Sequence, residues 1–223
     1  MMPDLSIEGP LRNLIRSNLL KFELSAIASA DHRQAAVAVV VLDQQEAAGI
    51  GDIPFNACDE GRAAVLLTIR AAKLKDHAGQ RAFPGGRLDE GETVEQAALR
   101  ELQEEVGLQL DAGSVLGRLD DYATRSGFVI SPVVVWGGRV GELTANPDEV
   151  ESLHRIPVSE LLREDAPRLQ YKKDREHPVL KMPLGNDWFA APTAAIAYQF
   201  REVAILGKDT RVAHFDQPKF AWS

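Results

Sequence analysis

Short β-branched runs alternate along this chain with stretches whose apolar positions recur every three or four residues. AAVAVVVL, Ala35 to Leu42, and AAVLLTIR, Ala63 to Arg70, are the densest runs and predict buried strands. Further strands are expected near Ser114–Leu119 and Phe128–Trp136. In the second, FVISPVVVW, Pro132 breaks the run and points to an edge strand or a bulge. Leu11, Leu14, Ile15, Leu19 and Leu20 follow Pro10 at helical spacing. Thr93 to Val106 predicts a second helix. Pro192 to Gly207 predicts a third, with proline at its first turn and glycine at its end.

The connections are equally legible. Residues 43–62 read as a long connection or hairpin insertion punctuated by Gly49, Gly51 and Pro54. Residues 71–86 form a polar loop. Residues 146–165 read as a loop, a short strand and a short helix capped near Ser159. No repeat or low-complexity tract interrupts this pattern, so one α/β domain over residues 1–223 is expected, its core at about 33–165 and flanked by a helical segment on either side.

Charge narrows the function. Thirty-three acidic residues against 25 lysines and arginines give a net charge of −8, which supplies no general attraction to nucleic acid or an anionic membrane. A small anionic substrate stays open, because a bound divalent cation reverses the local field. Cys58 is the only cysteine, which fits a reducing compartment and argues against a cysteine-ligated zinc. The N-terminus lacks a signal-peptide pattern, and no run reaches the roughly 18 apolar residues of a membrane span. A cytoplasmic location is expected.

The Thr93–Val106 helix carries an unusual charge pattern. At 100° per residue, Leu99, Leu102 and Val106 fall within a wedge of roughly 60°, while Glu101, Glu104 and Glu105 share a separate arc of about 100°. The acids lie in the C-terminal half, where the helix dipole disfavours negative charge. Such a face is either merely solvated or holds a hard divalent cation through carboxylate oxygens.

The full segment reads Gly86, Glu92, Arg100-Glu101-Leu102, Glu104-Glu105 and Gly107-Leu108, and this spacing resembles the Nudix box of the Nudix hydrolase superfamily. The resemblance implies an α/β/α sandwich with a mixed sheet, in which the box forms a loop–helix–loop. It implies hydrolysis of a nucleoside diphosphate linked to another moiety, with Mg²⁺ or Mn²⁺ as cofactor. It places Glu101, Glu104 and Glu105 as metal ligands, with a backbone carbonyl at Gly85 or Gly86 beside them. It assigns Arg100 and Glu92 to orienting those ligands. Glu149 in the NPDEV loop is the expected general base, with Asp148, Glu142 and His154 as weaker choices.

Upstream, LLTIRAAKLKDHAGQRAFPGG resembles the added motif of the coenzyme A pyrophosphatase branch. Leu66, Leu67, Thr68, Arg70, Gly79, Phe83, Pro84, Gly85 and Gly86 fit it. Ala71 stands where serine is usual and Lys75 where arginine is usual, and the box glycine lies one residue nearer its Arg–Glu pair than that branch often has. The resemblance implies substrate contacts from Arg70, Lys75, Gly79, Phe83, Gly85 and Gly86, although Phe83 equally suits packing. Lys73 and Arg81 are further cationic residues of that loop, and His77 beside them is expected on the surface.

The expected substrate is coenzyme A or an acyl derivative, cleaved to 3′,5′-ADP and 4′-phosphopantetheine. Alternatives are ADP-ribose, NADH or dinucleoside polyphosphates, and, in another class, a non-catalytic nucleotide-binding sensor. A homodimer is carried as a family expectation. The aromatics Trp188, Phe189, Tyr198, Phe200 and Trp222 suit either core packing or a substrate pocket.

Overall fold

Residues 33–43 and 63–70 pair antiparallel and form the middle of a sheet, as their apolar runs require. The structure is a computed structural model that describes residues 3–28, 32–44, 61–74, 77–173 and 175–218. The strands are β1 (Arg33–Asp43), β2 (Ala63–Arg70), β3 (Arg81–Ala82), β4 (Gly85–Arg87), β5 (Val115–Arg118), β6 (Tyr122–Ala123), β7 (Phe128–Gly138), β8 (Val150–Pro157), β9 (Arg168–Gln170), β10 (Val179–Leu184) and β11 (Asp187–Ala190). The helices are α1 (Leu11–Lys21), α2 (Val94–Val106), α3 (Val158–Leu161) and α4 (Thr193–Gln199). The main sheet runs β3-β2-β1-β7-β5, with β4 also on β1, β6 on β7 and β8 on β2. Among the described strands of this sheet only β1 and β7 pair in parallel, so the sheet is mixed. A separate sheet holds β9, β10 and β11.

The period-2 alternation of β1 divides the core between two faces. Ala36, Ala38, Val40 and Leu42 pack with Ala97, Ala98, Leu102 and Val106 of α2. Val39 and Val41 belong to the opposite cluster, with Leu11, Ile15 and Leu19 of α1 and Phe200 and Val203 after α4. Helices therefore cover both faces, the layering of an α/β/α sandwich. Leu102 has no exposed surface; its truncation to alanine costs about 2–5 kcal/mol.

α2 forms where expected for local reasons. Thr93 caps its N-terminus, accepting from the Gln96 N–H while Gln96 returns a bond to the Thr93 N–H, a capping box. Gly107 ends it in the left-handed conformation at φ 71°.

Several expectations change. Pro132 lies in an internal strand, paired with Val37 on β1, and not at an edge. Its carbonyl accepts from the Leu119 N–H on the side where the neighbouring chain leaves the ladder between β5 and β6, so its missing donor falls at a break. Leu20 is exposed, off the α1 face that buries Leu11, Ile15 and Leu19. The short helix α3 begins at Val158, directly after β8, with no side-chain cap; Ser159 lies inside it. The Pro192–Gly207 helix is α-helical to Gln199 and then widens into a π-helical turn, Phe200–Ile205. The inserted residues 45–60, with Cys58, lie outside the described residues. Among the described residues no helix is long and apolar enough to cross a membrane.

Candidate functional site

The first half of β1 pairs with β4 and its second half with β2, so β2 and β4 part company beside the strand they share. α2 packs against β1 and β4, which sets its carboxylates over the Gly85-Gly86 backbone. There Gly85 is sterically required by backbone, and a side chain on Gly86 would displace the Glu101 carboxylate. A Cβ on Gly85 would sit 2.3 Å from the Ala36 carbonyl oxygen, and one on Gly86 would sit 2.2 Å from Glu101 Oε1. The Gly85 N–H donates to Glu105 Oε2 at 3.2 Å.

A third carboxylate arrives from far along the chain. The loop after β7 hangs from the C-terminus of α2: the Thr144 N–H donates to the Val106 carbonyl at 3.1 Å and the Asn146 N–H to the Glu105 carbonyl at 2.9 Å. These bonds satisfy end-of-helix acceptors. The loop then reaches β2, where the Ala71 N–H donates to the Glu149 carbonyl at 2.9 Å. As a result Glu101, Glu105 and Glu149 each offer an oxygen within 4.8 Å of the others'.

Glu101 and Glu105 are buried and Glu149 is the most open of the three. Burial pushes the Glu105 carboxyl up to about 7, partly opposed by the Gly85 N–H and reinforced by the Glu101 charge. Burial also raises Glu101, against the pull of Arg100. Three converging carboxylates, among them the buried Glu101 and Glu105 with their raised proton affinities, are a hard oxygen donor set that fits Mg²⁺ or Mn²⁺.

Arg100 braces this set. Its Nε and Nη2 donate to the two Glu92 oxygens, each at 3.0 Å, and its Nη1 donates to Glu101 Oε1 at 2.9 Å and Glu104 Oε2 at 3.1 Å. The bidentate fork holds the Glu92 carboxyl below the usual carboxylate range and raises Arg100 in return.

These carboxylates open into a cavity of about 510 Å³. Arg70 and Arg81 line it, with Val37, Phe83, Ile130, Pro192 and Ile196 as apolar wall. The Arg70 Nε is buried without a hydrogen-bond partner among the described residues. A guanidinium that forms no ion pair among the described residues, across the cavity from a carboxylate cluster, suits a phosphate bound between them.

A NUDIX domain model matches residues 32–176, from the start of β1 past β9 and around every group named above except Pro192 and Ile196. The chain belongs to the Nudix hydrolase family. The chain is 41% identical over 115 residues to "Nudix hydrolase 3" of Caenorhabditis elegans, a match covering 50% of this chain and 48% of that protein. It thus spans about half of that relative's length. It is 38% identical over 153 residues to "Uncharacterized Nudix hydrolase NudL" of Cronobacter sakazakii, covering 68% of this chain and 71% of that protein. Among solved structures, a MutT/nudix family protein from Enterococcus faecalis superimposes with a TM-score of 0.48 at 17% identity, over 83% of this chain and 64% of that one.

Not all the residues expected of a Nudix site converge. Glu104 points outward, bonded to Arg100, and stands outside the three-carboxylate cluster in which Glu149 takes part. The separation of a carboxylate face from the packing face also fails for Glu101 and Glu105, which are buried against β4 while Glu104 alone is exposed. Gly79 does not line the cavity. It turns the chain at φ 69° so that its own N–H, and the Gln80 carbonyl, clamp the Arg70 backbone.

Phe83 lines the cavity from within the core cluster. Lys73 pairs with Asp148 on the surface. His77, expected on the surface, lines the cavity. His154, a weaker choice of base, is buried and bonded to Ser152 at 2.7 Å. Lys75 and Trp222 lie outside the described residues, and Trp188, Phe189, Tyr198 and Phe200 do not line the cavity.

Proposed function

We propose that this Nudix chain is a divalent-metal-dependent pyrophosphohydrolase that cleaves the diphosphate of coenzyme A or an acyl derivative to 3′,5′-ADP and 4′-phosphopantetheine. One observation carries the hydrolytic reading: Glu101, Glu105 and Glu149 converge in one cavity that Arg70 also lines, its Nε without a hydrogen-bond partner among the described residues. The coenzyme A reading rests on the Leu66–Gly86 segment, whose Arg70 and FPGG turn lie at this same site.

Glu101, Glu105 and Glu149 would hold the cation, with Arg100 and Glu92 keeping Glu101 in place. Bound there, Mg²⁺ or Mn²⁺ would neutralise charge on the diphosphate and acidify water. Arg70 offers planar donors to a non-bridging phosphate oxygen, where negative charge grows as the bridging P–O bond breaks. Glu149, the most open carboxylate, would take a proton from the attacking water through its oxygen not engaged by the cation. The apolar side of the cavity, Val37, Ile130, Pro192 and Ile196, suits the uncharged arm beyond the diphosphate.

The test is hydrolysis of coenzyme A, dephospho-coenzyme A, ADP-ribose, NADH and diadenosine polyphosphates with Mg²⁺ or Mn²⁺, products identified by mass and Glu105→Gln as control. Metal-dependent release of 3′,5′-ADP, with coenzyme A ahead of its dephospho form, is expected. Preference for ADP-ribose or a dinucleoside polyphosphate refutes the coenzyme A reading and keeps the hydrolase. Binding without turnover of any of them refutes both.

A further inference from the structure

Away from the carboxylates, the cavity ends on a ring with two cations. The Arg33 guanidinium carbon lies 3.9 Å from the centroid of the Phe128 ring, and that of Arg87 lies 5.4 Å from it. All three residues line the cavity. They meet through strand register alone: Arg33 pairs with Phe128 across β1–β7, and Ala35, two residues on, pairs with Arg87 of β4. Neither guanidinium forms an ion pair among the described residues. Arg33 donates to the Ser126 carbonyl at 3.1 Å, and Ser126 and Thr124 complete the rim with hydroxyls. In a protein carrying net charge −8, two unneutralised guanidinium groups gathered at one ring repel each other until an anion joins them.

Strand geometry sets the distance to the reacting centre. Gly85, which holds Glu105, pairs with Val37, four residues from Arg33 on β1. At about 3.3 Å per residue that is about 13 Å of strand, and about 7 Å to the level of Arg87. This is the span of one nucleoside. We infer that Arg33, Arg87 and Phe128 form a subsite for a phosphate monoester on the nucleoside half of the substrate, with the diphosphate at the carboxylates. The inference rests on the pyrophosphohydrolase reading for the seat of the diphosphate. It makes these three residues the determinants of preference for a doubly phosphorylated nucleoside, and it assigns that preference to neither Lys73 nor Arg81, whose charges are engaged by Asp148 and Asp187.

The test is calorimetric titration, with Mn²⁺ present, of adenosine 3′,5′-bisphosphate against adenosine 5′-monophosphate into the wild type and the Arg33→Gln/Arg87→Gln double variant. Both arginines are exposed, so their replacement leaves the core intact. Loss of charge-assisted bonds to one phosphate predicts that the wild type prefers the bisphosphate by about 10-fold or more and that the double variant retains about twofold or less. Equal affinity in the wild type, or a preference that survives both substitutions, overturns the subsite. The same proteins assayed on coenzyme A and dephospho-coenzyme A separate the two readings. No hydrolysis with the titration preference intact removes the enzyme and keeps the subsite; hydrolysis without that preference does the reverse.

Discussion

Replacing Glu105 by glutamine should stabilise the metal-free protein while disabling it. In the folded chain the Glu105 carboxyl keeps its proton up to about pH 7, against an ordinary value of 4.5. The folded state therefore binds more protons than the unfolded state between those values, and stability falls as pH rises through that window. At about 1.4 kcal/mol per pH unit, ionising this group in its buried position costs about 3 kcal/mol above pH 7. Glutamine matches the shape, keeps an acceptor for the Gly85 N–H and carries no charge.

Urea unfolding in EDTA should then show the variant more stable by about 3 kcal/mol at pH 8 and nearly equal at pH 4.5. For a chain of this size that is about 6–12 °C in Tm. Saturating Mn²⁺ should reverse the order, since it stabilises only the chain that binds it. A variant no more stable than wild type at pH 8 without metal, or a wild-type pH dependence that the substitution leaves intact, would refute the electrostatic account of the site.

Three further outcomes follow from the same geometry. Mn²⁺ at 100 times its Kd should add about 2.7 kcal/mol to the wild type; Glu101→Gln and Glu149→Gln should lose most of this in a thermal-shift titration, whereas Glu104→Gln should keep most of it. Gly86→Ala puts a methyl carbon 2.2 Å from Glu101 Oε1, so it should cost about 1–3 kcal/mol in urea unfolding and weaken Mn²⁺ binding together with turnover. Arg100→Ala frees Glu92, whose depressed carboxyl contributes stability above its ordinary value of 4.5 that is lost as pH falls below it; the variant should be less stable at pH 7 by about 1–3 kcal/mol, and its deficit should shrink as pH falls below 4.5 in the same unfolding assay.

What the sequence determined by itself is what local physics decides. The strand faces of β1 and β2, the capped helix with Glu101 and Glu105 on it and the left-handed glycine that ends it all follow from period, capping and turn chemistry within a few residues, whereas the glycines beneath the carboxylates answer to the distant Ala36 and Glu101. Helical periodicity could place Glu101, Glu104 and Glu105 on one arc, but it could not tell which of them the sheet would bury; packing of α2 on β4 turned Glu104 to solvent. Glu149 was named from its loop, yet its approach to Glu105 depends on backbone bonds from that loop to both α2 and β2. Arg33, Arg87 and Phe128 had no role assigned from the sequence. Their meeting depends on the register of two strand pairings, one of them parallel, and register is settled by burying one face of the whole sheet. The tertiary structure alone decided it, because pairing energy over that distance belongs to the sheet and to no single segment of chain.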